Sequence, residues 1–464
     1  MAKSEKHITD LYEEHEQWIQ NLGEKTVHAK RMPGKFRKIK WALSSFWLLF
    51  FLLPYLELDG RQAILFDIEN RQYHIFNTTI LPQDIWLLAP VLMFLAILLA
   101  VITATIGRAY CGYICFQTVW TDVFTKIEEL IEGLPLKRRK LDDAPLSLRK
   151  FFIKFTKHIT WILLGLLSAI TWLLWFGVTW DDFFNFNLSK MAIGITFLIT
   201  VGVYIFAGIM REQTCLWICP YSRIQGTMTD KETLVPTYDN KRGEKRGRLV
   251  KGKVAKDNGD CVDCNLCVAV CPTGVDIRKG QEYGCITCGL CIDACDSVMK
   301  KIKRPLGLIK YISLNEFKNN KEIKQFYKRP RVIVYSTILS LALAAIIYGL
   351  TQMSLLELKV LHHRQPLFIE LSDGSIRNKY ELKIVNKKNK PADVTISFNS
   401  KIKDLKIKST SDKFTVSAGS VKSITVYLSA YLKDIPNDDA VYFVVNSNEA
   451  KSEYKTRFFS SKNN

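Results

Sequence analysis

Several motifs typical of haem proteins and of small secreted proteins are missing from this sequence of 464 residues. It has no Cys-x-x-Cys-His motif for covalent haem, and its seven histidines have no spacing that would hold a haem between apolar segments. Its twelve cysteines are too dilute for a small disulfide-bonded scaffold. We expect no cleaved signal peptide, because nearly forty polar residues precede the first apolar run and no small-residue cleavage site follows it.

Charge and hydropathy do not fit an ordinary soluble protein. The chain carries 65 Lys and Arg against 45 Asp and Glu, a net charge of +20, yet its mean hydropathy is +0.02. A soluble protein with this much charge would have a clearly negative mean hydropathy. The apolar residues must therefore be concentrated in separate segments.

Five apolar runs approach the roughly 20 residues that a transmembrane helix needs. They are Trp41–Leu58, Ile85–Ile106, Ile159–Val178, Met191–Met210 and Val332–Leu350. Burial inside a soluble protein is the alternative, but the length of the runs and the lack of charge within the last four argue against it. The first run is the weakest, since Pro54 and Glu57 lie near its end. The sequence thus predicts five transmembrane helices in a lipid bilayer.

The distribution of basic residues predicts the orientation. Residues 1–40, 107–158 and 211–331 carry nine, ten and twenty-four Lys and Arg, whereas 59–84 and 179–190 carry two and one. Short loops rich in Lys and Arg stay in the cytoplasm, while long domains are translocated regardless of charge. We therefore expect a bacterial inner-membrane protein with a cytoplasmic N-terminus and a periplasmic C-terminal domain. Nucleic-acid binding is not expected, because the basic residues follow the membrane side and do not mark one folded surface.

Eight cysteines form two copies of the motif that two-cluster bacterial ferredoxins use for iron–sulfur ligation. In this motif three closely spaced thiolates bind one cluster and the fourth binds the neighbouring cluster. One predicted [4Fe–4S] cluster takes Cys261, Cys264, Cys267 and Cys295, and the other takes Cys271, Cys285, Cys288 and Cys291. Zinc is the alternative for repeated Cys-x-x-Cys pairs, but it gives no reason for three evenly spaced cysteines plus a fourth, twice over. Asp296 departs from the general pattern, which repeats a proline after the last cysteine.

The other four cysteines form two Cys-x-x-x-Cys motifs, each just after an apolar run. They are Cys111, Cys115, Cys215 and Cys219. If each segment is helical, a spacing of four brings both thiols onto one face. A reducing cytoplasm disfavours disulfides, and two equally spaced copies disfavour simple packing. A soft-metal site for Cu(I), zinc or an iron–sulfur cluster and a redox-active dithiol both remain open.

The remaining soluble segments carry weaker signals. A stretch rich in Lys, Arg and Gly, residues 241–248, looks like a flexible approach to the eight-cysteine segment. After residue 351, apolar and polar residues alternate in short runs separated by turns, which predicts an immunoglobulin-like sandwich of roughly seven strands. His74, His362 and His363 are expected on the outer side, as solvated loop residues rather than copper ligands.

These features divide the chain into seven parts. They are a cytoplasmic segment 1–40, a four-helix membrane core 41–227, a basic linker 228–258, a two-cluster ferredoxin-type domain 259–304, a connector 305–331, a fifth transmembrane helix 332–350 and a periplasmic immunoglobulin-like domain 351–464.

The order of these parts resembles the FixG/CcoG/RdxA family of cytochrome c oxidase accessory proteins. The segments that carry the resemblance are residues 54–63, 110–122, 211–221 and 259–267. Asp296 fits the family pattern. Phe116 does not, because the family usually has proline there, as this chain keeps at Pro220.

This resemblance implies assembly of a cbb-type oxidase through reduction of Cu(II) to Cu(I), with copper held by the two Cys-x-x-x-Cys motifs. The implied partners are the oxidase or its copper-assembly factors and an unidentified cytoplasmic electron donor. One alternative is a NapH-like relay that passes quinol electrons to an external reductase. Another is a non-enzymatic assembly scaffold.

Overall fold

The structure is a computed structural model of the chain. It describes residues 27–460 except 59–60, 69–70, 77, 250–257, 281, 320–325, 353, 364, 389, 401, 403–404, 410–412, 436–438 and 448–449. Parts of the predicted N-terminal segment and linker therefore lie outside the described residues. The chain divides into two compact units, one of Met1–Leu52, Pro90–Leu174 and Thr179–Ala344, the other of Leu53–Ala89, Trp175–Val178 and Ala345–Asn464.

Four helices of the described chain are long and apolar enough to cross a membrane. They are Asp84–Ile106, Leu148–Leu174, Lys190–Met210 and Pro330–Thr351. Only 11% of the most apolar window of the first is buried within the protein, against 44% for the second. Such a large exposed apolar surface is stable in lipid but costly in water. Four of the five predicted runs thus form helices of spanning length, and the protein is a membrane protein.

The first predicted run, Trp41–Leu58, is not one continuous helix. The chain forms a helix over Lys35–Ser44, a two-residue turn, a helix over Trp47–Leu52 and a 3-10 turn over Leu53–Tyr55. The Ser45 hydroxyl donates to the carbonyl of Ala42 at 2.6 Å, and such local bonds compete with helix continuation. Pro54 has no amide hydrogen with which to extend the second helix. The expectation of five uninterrupted spanning helices is therefore corrected to four among the described residues.

The rest of the first unit consists of short elements. Its α-helices are Ala109–Tyr113, Phe116–Ile131, Pro135–Asp143, Trp180–Phe184, Pro220–Met228, Asn240–Gly243, Leu266–Ala269, Leu290–Lys301 and Leu314–Asn319, with 3-10 turns at Ile277–Lys279 and Phe326–Lys328. Two strands, Val235–Tyr238 and Ile309–Ile312, pair in antiparallel fashion. This pair lies within the stretches predicted as linker and connector, so neither is simply an irregular loop. The apolar core of this region surrounds the cysteines and includes Val262, Leu266 and Ile286.

The second unit contains a sandwich of two antiparallel sheets. In order, one sheet contains Lys406–Ser409, Val421–Tyr431, Ser375–Asn386 and Leu356–His362, with Ile369–Glu370 beside Ser375–Asn386. The other contains Lys413–Val416, Ala392–Ser400, Ala440–Ser447 and Ala450–Arg457. Alternating side chains such as Tyr380, Leu382 and Phe443 are completely buried between the sheets. The predicted immunoglobulin-like fold is confirmed, with nine strands among the described residues rather than seven.

A small sheet that the sequence did not predict belongs to the same unit. It contains Ile64–Asp67, Gln72–Ile75 and Thr78–Ile80, and a further short pair joins Glu57–Leu58 to Arg61–Gln62. The buried ammonium of Lys387 lies 2.9 Å from carboxylate oxygens of both Asp84 and Glu357. Thr79 donates its backbone N–H to the carbonyl of Lys387 at 3.0 Å. The small sheet is thus tied to the sandwich by a paired buried charge.

Candidate functional site

The eight-cysteine segment has the same backbone conformation in both of its copies. The second and fourth residues after the first cysteine adopt left-handed conformations in each copy, namely Asp263 and Asn265 in one and Thr287 and Gly289 in the other. A helix begins one residue before the third cysteine of each copy, over Leu266–Ala269 and Leu290–Lys301. These left-handed residues turn the chain sharply between cysteines, so three thiols of each copy can face one centre.

Backbone amides point at the sulfurs in the same repeated pattern. Cys261 and Cys264 accept N–H groups from residues two positions later, and so do Cys285 and Cys288. Burial raises the pKa of Cys264 to about 11 and that of Cys285 to about 12. Neutral thiols would therefore persist at pH 7 unless a bound metal centre supplied positive charge, because a coordinating thiol loses its proton.

The fourth cysteine of each copy lies with the other copy. Cys271, Cys285, Cys288 and Cys291 all line one cavity, which Cys267 also reaches. Cys295 is close enough to Cys261 and Cys264 for their charges to raise its pKa further, after burial. The division of the eight thiols into two ligand sets stays a prediction, and the soft donors and the amides aimed at sulfur fit [4Fe–4S] clusters.

Asp296 has a structural partner that accounts for its place after Cys295. Its carboxylate accepts the backbone N–H of Gly307 at 3.0 Å. A proline there could not make this bond. Asp296 therefore stabilises the position of the chain that follows the second copy of the motif.

The four cysteines of the two Cys-x-x-x-Cys motifs come together in the first unit. Cys215 is close enough to Cys111, Cys115 and Cys219 for their charges to affect its pKa. Burial, followed by these neighbours, raises the pKa of Cys215 to about 12, and burial raises that of Cys111 to about 12. The thiol of Cys111 donates to the Gln225 side-chain oxygen at 2.9 Å.

Neither Cys-x-x-x-Cys motif is one helix, contrary to the conditional expectation from the spacing. Cys111 lies within a short helix, Ala109–Tyr113, and Cys115 caps the start of the next, Phe116–Ile131. Cys215 lies in a π-helical turn, Thr214–Ile218, and Cys219 begins the helix Pro220–Met228. Each pair is therefore brought together by a break between two helices.

A matched pair of hydroxyls holds both breaks. The Thr118 hydroxyl donates to the carbonyls of Cys111 and Cys115, the latter at 3.0 Å. The Ser222 hydroxyl donates to the carbonyls of Cys215 and Cys219 at 2.7 and 2.9 Å. Each hydroxyl lies seven and three residues after its two cysteines. The predicted duplication thus extends to the hydrogen bonds, although sequence reasoning did not single out these two residues.

The first motif packs directly against the eight-cysteine segment. A Cβ added to Gly112 would lie 2.6 Å from the carbonyl oxygen of Ile286 and 3.1 Å from Cα of Cys288. The Tyr113 hydroxyl donates to the carbonyl of Cys288 at 2.9 Å. Only glycine permits this approach, so the four thiols and the second predicted cluster are neighbours.

Arg108 lies between these two sets of cysteines. Its side chain is buried and hydrogen-bonds to Cys111, and its charge partly offsets the rise that burial causes in the pKa of Cys285. Its guanidinium also donates to the carbonyl of Tyr283 at 2.6 Å and lies 5.5 Å from the centre of that ring. A buried guanidinium beside sulfur stabilises thiolate charge. Arg108 lies just before Cys111 in the sequence, but nothing in the sequence indicates that it is also close to Cys285.

The histidines make structural contacts. In the sandwich, His362 lies 3.0 Å from the side-chain oxygen of Asn378 and packs on Phe459. His363 donates its backbone N–H to the carbonyl of Lys379 at 3.0 Å, and His74 lies 3.0 Å from the Thr79 hydroxyl.

Comparison with known families assigns three regions. Residues 88–140 match the model of a 4Fe-4S binding domain, residues 210–314 that of a 4Fe-4S dicluster domain, and residues 346–461 that of the IG-like fold at the C-terminal of FixG. The first match contains Cys111 and Cys115, and the second contains the other ten cysteines. The protein therefore carries iron–sulfur binding domains and a FixG-type sandwich.

Two named proteins are similar to most of the chain. The chain is 37% identical to the nitrogen fixation protein FixG of Rhizobium meliloti, over 78% of this chain and 76% of that protein. It is 38% identical to protein RdxB of Cereibacter sphaeroides, over 81% and 82%. A solved structure of a FixG-related protein from Vibrio parahaemolyticus is 20% identical over 24% of this chain and 99% of that one, with a TM-score of 0.21.

Proposed function

Because the chain belongs to the FixG family, we propose that it reduces Cu(II) to Cu(I) for assembly of a cbb-type oxidase. Family membership follows from relatives that are 37% and 38% identical over most of both chains. The observation that carries the proposal is the convergence of four soft thiols beside the second predicted cluster. In each turnover Cu(II) gains one electron, which an unidentified cytoplasmic donor loses.

Iron–sulfur clusters, when bound by the two sets of four cysteines, supply single electrons of the kind this change requires. The thiols of the Cys-x-x-x-Cys motifs favour the product, because soft thiolates select Cu(I). Two thiolates suffice for Cu(I), and we therefore assign copper to the four cysteines of these motifs, Cys111, Cys115, Cys215 and Cys219.

The orientation also belongs to this proposal. Basic loops favour a cytoplasmic location for the N-terminus and all cysteines, with the sandwich in the periplasm. That arrangement requires the first apolar run, Trp41–Leu58, to cross as well, despite its internal turn.

The test is Cu(II) reduction by anaerobically purified protein carrying Cys215→Ser and Cys219→Ser. We expect the rate of Cu(II) reduction to fall about tenfold to a hundredfold, because the variant lacks two metal ligands, while the iron content stays unchanged. Thr214→Ser in the same turn is the matched control and should keep the rate. Undiminished reduction by the double variant would rule out the copper site.

One observation favours the second candidate, a quinol relay. An open pocket of about 670 Å³ is lined by Leu216, Trp217, Arg223, Tyr283 and Gly284, among others, and Gly284 precedes Cys285 in the chain. This volume and its aromatic walls suit a ring-shaped ligand. Quinol oxidation by the purified protein, abolished by Trp217→Ala, would support the relay over copper reduction.

A non-enzymatic scaffold is the third candidate. It requires that a variant lacking all eight cluster cysteines still supports oxidase assembly in cells. We expect this variant to fail, which would exclude the scaffold.

A further inference from the structure

A second cavity of the first unit lies beside Cys215 and is surrounded by basic side chains. Its volume is about 40 Å³, above the roughly 10–15 Å³ that a single water needs. Four of its lining residues are basic and two are acidic, namely Arg31, Arg37, Lys40, Arg211, Asp122 and Glu212. Thr118, Thr121 and Thr125 add hydroxyls.

The acidic residues do not match this positive charge. Asp122 is shared by three cations, at 2.6 Å from Arg31, 3.2 Å from Arg37 and 3.7 Å from Lys40. Burial raises the pKa of Glu212, which favours its neutral form. Arg31 also pairs with Glu129, and Arg211 pairs with Glu128, which Arg138 and Lys157 share. Asp122 and Glu128 are thus each shared among three cations.

Two guanidinium nitrogens of residues that line the cavity have no hydrogen-bond or ion-pair partner among the described residues. They are Nε of Arg37 and Nη1 of Arg211. Nε of Arg31 also lacks a hydrogen bond, but it lies 3.7 Å from the Glu129 carboxylate. The Arg211 side chain is only 4% exposed, so water outside the protein does not readily satisfy it. Buried donors are normally paired, and charged donors cost most when left unpaired. Two such donors at one cavity point to a missing acceptor.

We propose that this cavity binds a small oxyanion of the size and charge of phosphate or sulfate. A tetrahedral oxyanion accepts several N–H bonds at once, which is the chemistry that arginine forks recognise. The cavity lies between Cys215 and the loop of Cys271, since Pro272, Thr273 and Ile286 also line it. The anion therefore stabilises the contact between the second thiol pair and the eight-cysteine segment. This inference does not depend on copper reduction.

The experiment titrates the full-length protein, purified with its clusters, with inorganic phosphate at constant ionic strength set by chloride. We expect saturable binding by calorimetry and a rise of a few degrees, about 2–4 °C, in the unfolding midpoint. Arg37→Gln should weaken phosphate binding about tenfold or more, because it removes a charged donor. Arg31→Gln is the second variant in case the first does not fold. Exposed Arg149→Gln, which removes the same charge away from the cavity, should bind like the parent protein.

Three results would overturn the proposal. One is the absence of saturable binding with both phosphate and sulfate. Another is equal affinity in the parent, Arg37→Gln and Arg31→Gln proteins. The third is phosphate binding that occurs only after residues 1–26 are deleted, which would mean that this segment occupies the cavity in the full-length protein.

Lipid phosphate has the same chemistry, so the titration is repeated in nanodiscs. Saturable binding in phosphatidylcholine nanodiscs supports a free anion. Loss of binding in phosphatidylglycerol nanodiscs alone would identify the lipid headgroup as the oxyanion that occupies the same donors.

Discussion

The two Cys-x-x-x-Cys motifs have the same spacing but different surroundings. Each has one hydroxyl that bonds to both of its cysteine carbonyls, from Thr118 or Ser222, which we call the hydroxyl caps. Cys111 is 5% exposed and its neighbour Gly112 packs on the Cys288 loop. The second motif lies on a π-helical turn in which Trp217 is 65% exposed. The two motifs thus share their spacing and their hydroxyl hydrogen bonds, while packing made one an inner contact and left the other open. This difference favours the second pair as the entry point for a substrate.

The largest expected effect distinguishes the predicted cluster ligands from the more buried cysteine pair, Cys111 and Cys115. Cys291→Ser should lower the iron content by about half, because one of two [4Fe–4S] sites loses a ligand. Cys111→Ser with Cys115→Ser should leave iron content unchanged while reducing copper retention. Iron and copper analysis of anaerobically purified proteins measures both, and loss of iron in the second variant would assign a cluster to the four thiols.

Alkylation rates should show the same asymmetry in metal-free protein. The pKa of Cys111 and that of Cys215 are both raised to about 12, so each thiol stays protonated near pH 7. Since the thiolate reacts, both rates should rise about tenfold per pH unit up to that value. Cys215 should nevertheless react at least about tenfold faster at every pH, because Cys111 is buried. Mass spectrometry after iodoacetamide pulses measures this ratio, and a ratio that disappears at high pH would mean that exposure is not its cause.

The hydroxyl caps offer a direct test of equivalence. Thr118→Val and Ser222→Ala should each lower the free energy of unfolding by about 1–3 kcal/mol, since each removes two bonds to cysteine carbonyls. Thr156→Val, an exposed helix residue with one such bond, is the control and should change it little. Denaturant unfolding measures all three, and a negligible effect at one cap would break the proposed symmetry.

The smallest expected effect concerns Phe116, which stands where the second motif has Pro220. Its ring lies 4.4 Å from Trp120 and 5.1 Å from Trp47. Proline is tolerated at the first helical position, so Phe116→Pro should cost about 1 kcal/mol from lost ring contacts alone. Phe116→Leu keeps the helix start and should cost about as much. A much larger loss of stability in the proline variant would show that the first break needs a different backbone from the second.

Patterns of short range were predicted well. Cysteine spacing predicted that the two copies share one local conformation, because turns between cysteines are local. Alternating residues such as those around Tyr380 predicted the sandwich, because one face of each strand is buried. Contacts between distant segments were not predicted, including the packing of Gly112 on Cys288 and the pairing of Val235–Tyr238 with Ile309–Ile312. No periodicity within either segment encodes its partner.

The sequence by itself determined the apolar helices, the paired cysteine motifs and the strand pattern of the C-terminal domain. All three depend on spacing along one chain, which covalent geometry converts directly into structure. Only the tertiary structure decided that Arg108 lies between two sets of thiols, that three guanidinium groups surround one cavity and that one cysteine pair is more open than its copy. These features depend on which surfaces meet, and burial and charge then give chemically identical side chains different roles.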